Sequence, residues 1–273
     1  MADVTISDLQ SMKDNGQKIF GIVAWDYHMA TIADRAGADI ISVGDTVGYN
    51  LWGHNTPFEV TVDQMMVVAQ AVRRGTKRAL LSVDLPFGPI QQSIEDTVAS
   101  AIRFVKEAGV DIIKLDCASE YPEATAALVR AGIPVWAQMG ITPQSALSLG
   151  IPYTAMNKEG AVVSSKLQSR LIDDAIKLQG AGASLLDFTN SGPVIGPKVV
   201  EKISIPVMGG FGGGPWLDGR VRLANSAIGY NSALLDADGD NYADITKIAL
   251  SALSDLREDV RSGKQIKTGA INS

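Results

Sequence analysis

Short apolar runs alternate with longer stretches of helical period along nearly the whole chain. The runs at 19–25 (IFGIVAW), 38–44 (ADIISVG), 79–85 (ALLSVDL), 111–115 (DIIKL), 133–139 (IPVWAQM), 183–189 (ASLLDFT), 205–210 (IPVMGG) and 227–234 (AIGYNSAL) predict strands. Between them, helical periodicity predicts helices near 28–36, 61–74, 92–108, 121–131, 166–181, 196–203, 218–225 and 243–262. In 92–108, Ile94, Val98, Ile102 and Val105 recur at helical spacing, with Ser93 placed to cap and Gly109 to close the end. The phrases RAGAD (35–39), EAGVD (107–111), RAGIP (130–134) and GAGAS (180–184) repeat one device: a glycine ends a helix and a strand starts almost at once. Strand–helix units without a composition break predict an α/β protein, a single (β/α)8 TIM barrel over residues 1–273. The last unit is the least regular, since AIGYNSAL also reads as a turn.

Composition narrows the function classes. The 273 residues are 46% hydrophobic and 20% charged, ordinary for a globular protein. A net charge of −6 argues against a nucleic-acid or anionic-membrane surface as partner. Cys117 is the only cysteine, which excludes an intrachain disulfide and suits a reducing compartment. The opening MADVTISDLQSMKDNG lacks a basic stretch followed by an apolar core, and no apolar run reaches the roughly 20 residues of a membrane span. A cytoplasmic location is expected.

The strand ends carry the chemistry. In such a barrel they face one mouth, where active sites are built. Asp26 follows the first run, Asp45 the second, Asp84 lies near the end of the third and Asp116 follows the fourth. Any one of these is more often a turn or helix cap than a ligand. Four in succession favour a site. Converging carboxylates repel unless protons or a cation intervene. With only His28 and His54 in the chain, zinc is poorly supported. Mg²⁺, held by one or two carboxylates plus water and substrate oxygens, fits better. It would polarise a carbonyl and stabilise an enolate as a Lewis acid. Lys114 shares the alternation phase of Asp116 and is placed either to meet a substrate carboxylate or to form a salt bridge inside the barrel.

The segments VGDTVGYNLWGH (43–54), VTVDQMMVVAQAVRRG (60–75), LLSVDLPFG (80–88), IIKLD (112–116) and MGITPQS (139–145) resemble the ketopantoate hydroxymethyltransferase family of the phosphoenolpyruvate mutase/isocitrate lyase superfamily. The similarity runs in order from about residue 5 to about 235. It implies transfer of a hydroxymethyl group from 5,10-methylenetetrahydrofolate to 3-methyl-2-oxobutanoate, in pantothenate biosynthesis, by a homo-oligomer. It also implies that Asp45 and Asp84 hold Mg²⁺ and meet the substrate. Thr46, where the family has Ser, would contact the substrate carboxylate, and Lys114 matches the substrate-binding lysine. Asp116 stands where the family has Glu as the third acid at the metal, and Gln138 replaces the His of the fifth-strand motif. Counting along the sixth strand puts Thr189, followed by Asn190, where the family has its general-base Glu. Asp187, two residues earlier on the same strand face, reads either as the base or as a buried structural acid. A water held by Thr189 and Asn190 is the other candidate to manage the proton. The segment 150–165 departs from the family pattern.

The leading expectation is thus a Mg²⁺-dependent enzyme forming a C–C bond beside the carbonyl of a 2-oxo acid through a metal-bound enolate. Two alternatives stand beside it. One is a diverged paralogue acting as aldolase, lyase or hydrolase on another 2-oxo or dicarboxylic acid; the other is a non-catalytic metabolite-binding protein. His54 reads as a loop-ordering residue, His28 as a helix-start residue and Cys117 as a packed thiol. The glycine run at 209–214 reads as a flexible loop allowing close approach, and DADGD (236–240) as a solvated turn.

Overall fold

The computed structural model describes residues 4–150, 165–189, 192–210 and 213–268. Eight parallel strands close into a barrel in sequence order, as the alternation predicts. They are β1 (Ile19–Val23), β2 (Ile40–Val43), β3 (Leu80–Asp84), β4 (Ile112–Leu115), β5 (Val135–Gly140), β6 (Leu185–Thr189), β7 (Val207–Gly209) and β8 (Gly219–Leu223).

Helices follow the strands with boundaries near those expected: α2 (Tyr27–Arg35), α4 (Val62–Gly75), α6 (Ile94–Ala108), α7 (Pro122–Arg130), α9 (Ser165–Gly180), α10 (Gly192–Lys202) and α12 (Ile245–Ser262). The short α3 (Val47–Trp52), α5 (Pro89–Gln92), α8 (Ala146–Leu149) and α11 (Ala224–Ala227) carry too few periods to be read from sequence, and a leading helix, α1 (Ile6–Asp14), precedes β1 without a sequence expectation. In α6, Ser93 accepts from the Asp96 N–H and Gly109 closes the end at φ +64°. Gly37, Gly132 and Gly182, in the other three repeated phrases, also take positive φ.

The eighth strand is a correction. The apolar run 227–234 is not a strand: Gly229 turns at φ +67°, and Asn231 caps a turn of 3₁₀ helix at Ser232–Leu235. The segment read as a helix at 218–225 instead holds β8. Its Gly219-Arg220-Val221-Arg222 alternates with period two, a pattern short enough to pass for helix beside its polar flanks. A Cβ at Gly219 would stand 2.5 Å from the Ile19 carbonyl oxygen, so glycine permits the close approach of β8 to β1.

The chain divides into two compact units, residues 1–222 and 223–273. Within the second, the buried Thr246 hydroxyl near the start of α12 accepts the Asn231 N–H at 2.8 Å and bonds the Gly229 carbonyl at 2.8 Å. Among the described residues no helix is long and apolar enough to cross a membrane.

Candidate active site

Strand register decides which side chains share the barrel interior, because paired residues on neighbouring strands project to the same face. Ser42 pairs with Ser82, and Asp84 with Lys114. Lys114 pairs with Trp136, Gln138 with Asp187, and Gly140 with Thr189. One interior surface therefore runs from β2 to β6, and it becomes charged toward the C-terminal strand ends.

Lys114 is the hub. Its Nζ lies 3.0 Å from Asp187 Oδ2 and 3.5 Å from Asp84 Oδ2, and 5.4 Å from the centroid of the Trp136 ring. All three charged groups are buried. Burial alone would lower the lysine's pKa, but the Asp84 and Asp187 charges outweigh it and push it upward, so the ammonium is fixed.

Asp45 and Asp116 line the adjoining face. Asp45 Oδ2 accepts from Gln144 Nε2 at 3.0 Å. Asp116 is held by backbone: Oδ1 accepts the Cys117 N–H and Oδ2 the Gln144 N–H, the latter at 3.0 Å. Burial, then the Asp84 and Asp116 charges, push Asp45 up to about 8. Burial pushes Asp84 up to about 6 despite Lys114, and burial also raises Asp116. Burial and mutual repulsion thus favour the protonated forms of Asp45 and Asp84 relative to an ordinary aspartate.

The donor chemistry suits a hard cation. Asp84 Oδ1 is buried without a hydrogen-bond partner. The Asp84 charge is near enough to Asp45 to disfavour its ionisation, and a divalent ion would cancel that repulsion. Among the described residues no three His, Cys, Asp or Glu side chains group as metal ligands, so the expected three-acid set of Asp45, Asp84 and Asp116 is not brought together. Of the acids expected at a metal, Asp84 keeps one oxygen without a hydrogen bond and Asp45 has one oxygen engaged by Gln144. Asp116 has both oxygens engaged by backbone N–H groups.

The remaining expected residues divide. Thr46 is buried at the start of α3 and its side chain makes no cap bond to that helix. Gln138 Nε2 donates to Thr189 Oγ1 at 2.7 Å, so the two positions where the family motif is altered touch each other. Asp187 Oδ1 is buried without a partner. Asn190, and most of the divergent 150–165 segment, lie outside the described residues. Asp26 does not join the site: it is exposed and accepts the Met29 N–H as the cap of α2. Cys117 is a packed thiol 3.5 Å from Thr142 Oγ1, pushed up by burial.

Trp136 and Gln144 join the site without a sequence expectation. Trp136 sits two residues before Gln138, so the alternation that turns Gln138 inward also turns the indole inward. Gln144 lies in a loop, where no period marks it.

Comparison with known proteins places the chain in a family. The family described as ketopantoate hydroxymethyltransferase matches residues 3–265. The 3-methyl-2-oxobutanoate hydroxymethyltransferase of Carboxydothermus hydrogenoformans is 36% identical over 261 residues, covering 96% of this chain and 92% of that one. Among solved structures, a phosphonopyruvate hydrolase in complex with oxalate and Mg²⁺ superposes with TM-score 0.57 at 13% identity, over 95% of this chain and 88% of that one. A phosphoenolpyruvate phosphomutase from Streptomyces platensis subsp. rosaceus gives TM-score 0.59 at 13% identity, with the same coverage of 95% and 88%. These two likenesses show a shared barrel fold.

Proposed function

The chain belongs to the ketopantoate hydroxymethyltransferase family, and from that premise we propose that it transfers a hydroxymethyl group to the carbon beside the carbonyl of a 2-oxo acid, 3-methyl-2-oxobutanoate or an analogue. The observation that carries this is the buried set of Asp45, Asp84, Lys114 and Asp187 at the mouth. Mg²⁺ held by Asp45 and Asp84 would offset the acidic face and polarise the substrate carbonyl. An oxalate–Mg²⁺ complex on the same barrel fold supports this reading, since oxalate presents two adjacent oxygens as a 2-oxo acid does.

The protein's own groups divide the remaining work. The Lys114 ammonium meets the substrate's carboxylate. The Thr46 hydroxyl, free of capping duty, is the second donor to that carboxylate. Asp187 Oδ1 takes the proton from C3, because it is the unpartnered oxygen of a carboxylate whose other oxygen is paired with Lys114. Thr189 is not the base: its oxygen accepts from Gln138, and a hydroxyl is too weak a proton acceptor. The Gln138–Thr189 bond instead spans β5 and β6 beside Asp187. The C3 carbanion then forms its bond to the one-carbon unit at the oxidation level of formaldehyde. With 5,10-methylenetetrahydrofolate as the candidate donor, both carbon–nitrogen bonds of the methylene group break, water supplies the hydroxyl oxygen, and tetrahydrofolate leaves with the protons on its nitrogens.

The test is proton NMR of 3-methyl-2-oxobutanoate in D₂O with enzyme and Mg²⁺. Metal-dependent loss of the C3–H signal is expected, followed by hydroxymethylated product when the folate donor is added. A signal that persists for hours at micromolar enzyme would overturn this substrate and turn the search to other 2-oxo acids.

A further inference from the structure

Gln144 bonds to Asp45, Leu85, Gln91 and Asp116 at the mouth, and the transfer reaction gives it no role. It sits in the Pro143–Ser145 turn after β5, buried. Its Nε2 carries two N–H groups, and both are used: one to Asp45 Oδ2 at 3.0 Å, the other to the Leu85 carbonyl at 3.2 Å. Its Oε1 faces Gln91 Nε2 at 3.4 Å. Its backbone N–H donates to Asp116 Oδ2 at 3.0 Å. The amide cannot flip, because Oε1 would then meet two acceptors. The turn that presents it is itself fixed: the Thr142 N–H donates to Ser145 Oγ at 3.0 Å.

We propose that Gln144 is the positioning residue of the cation face, its amide fixing the Asp45 carboxylate while its backbone N–H fixes Asp116. One residue thereby sets the spacing of two acids that follow β2 and β4. With Asp45 Oδ2 engaged by the amide, Oδ1 is the oxygen that would be available to an ion. The bond to Leu85 ties the same amide to the chain immediately after Asp84. Without it, Asp45 is free to rotate away from its neighbours, and the acids relax apart instead of waiting in ion-binding geometry. This inference rests on the proposed reading of Asp45 and Asp84 as the cation's ligands.

The experiment measures Mn²⁺ binding directly, by electron paramagnetic resonance and calorimetry, for wild type, Gln144→Leu and Asp84→Ala. Thermal unfolding of each variant is recorded alongside. Gln144→Leu removes the amide and keeps the backbone N–H. The expected result is a dissociation constant raised about 10–100-fold, the usual effect of losing a ligand's supporting partner. Activity at saturating Mg²⁺ should fall far less than activity at limiting Mg²⁺. A merely structural role would lower the melting temperature and kcat together without this split. If Gln144→Leu does not fold, Gln144→Asn, which keeps an amide but shortens its reach by a methylene, takes its place with the same expectation. Binding that is lost in Asp84→Ala but unchanged within twofold in the Gln144 variant overturns the positioning role and leaves the ligand assignment standing. Wild-type protein that binds no Mn²⁺ overturns both.

Discussion

Lys114 serves two carboxylates at once, and that sharing limits what each acid can do. Asp84 and Asp187 both lean on one ammonium, so a proton arriving on Asp187 leaves the Lys114–Asp84 pair in place. Deprotonating a carbon acid beside a fixed cation therefore adds no unpaired charge to the buried site. Asp187→Asn keeps the side chain's size and removes its basicity. It should slow exchange of the C3 proton into D₂O by about 10²–10⁴-fold, while Mn²⁺ affinity stays near wild type. Exchange within tenfold of wild type would place the base elsewhere. Asp84 and Lys114 were legible from strand-end position and alternation, whereas Asp187 was reached through the family resemblance, by counting back two residues from the position of the family's Glu. Asp26 was not separable by the same logic. A strand-end acid that points inward and one that caps the next helix look identical in sequence, and here the Met29 N–H claims it. Gln144 was hidden for a different reason: it reaches the acids from a turn, through an amide that carries no charge to draw notice.

At the level of elements, the site depends on how β5 ends. Gly140 is the last residue of β5 and takes φ +98°, a conformation that L side chains rarely adopt. A Cβ there would stand 2.3 Å from the Thr189 carbonyl oxygen and 3.2 Å from the Phe188 ring. The glycine thus lets β5 turn sharply against β6, delivering the loop that carries Gln144. Gly140→Ala should cost at least about 1–3 kcal/mol from backbone strain alone, read as a lowered urea midpoint at unchanged slope. It should also disturb the nearby Gln138–Thr189 bond. An unchanged midpoint would mean that the strand ends adjust freely. The glycine in MGITPQS is conspicuous in sequence, but the need for it comes from a neighbouring strand far along the chain. β8 illustrates the same limit. Its two arginines and one glycine dilute a period-two pattern that closure against β1 makes decisive, whereas the more apolar 227–234 run is broken by a left-handed Gly229.

For the whole molecule, the buried acids make stability depend on pH in a direction opposite to most salt-bridged proteins. Without a cation, Asp45 titrates near 8 and Asp84 near 6 in the folded chain, against 3.8 for an ordinary aspartate. Asp116 is shifted the same way. Between about pH 4 and pH 8 the folded chain therefore holds more protons than the unfolded one, and stability falls as pH rises across that window. Lys114 adds no slope there, because its raised pKa leaves it charged in both states. In EDTA the melting temperature should drop between pH 5 and pH 8. Each 1 kcal/mol lost lowers it by about 2–4 °C in a chain of this size. Saturating Mg²⁺ should restore stability mainly at the upper end of the range, since the ion binds ionised carboxylates and competes with their protons. The two melting curves should thus diverge with pH, nearly coinciding at pH 5 and separating by pH 8. A chelated protein that becomes more stable toward pH 8 would show that these carboxylates ionise without penalty. The acidic face would then need no cation to hold it together.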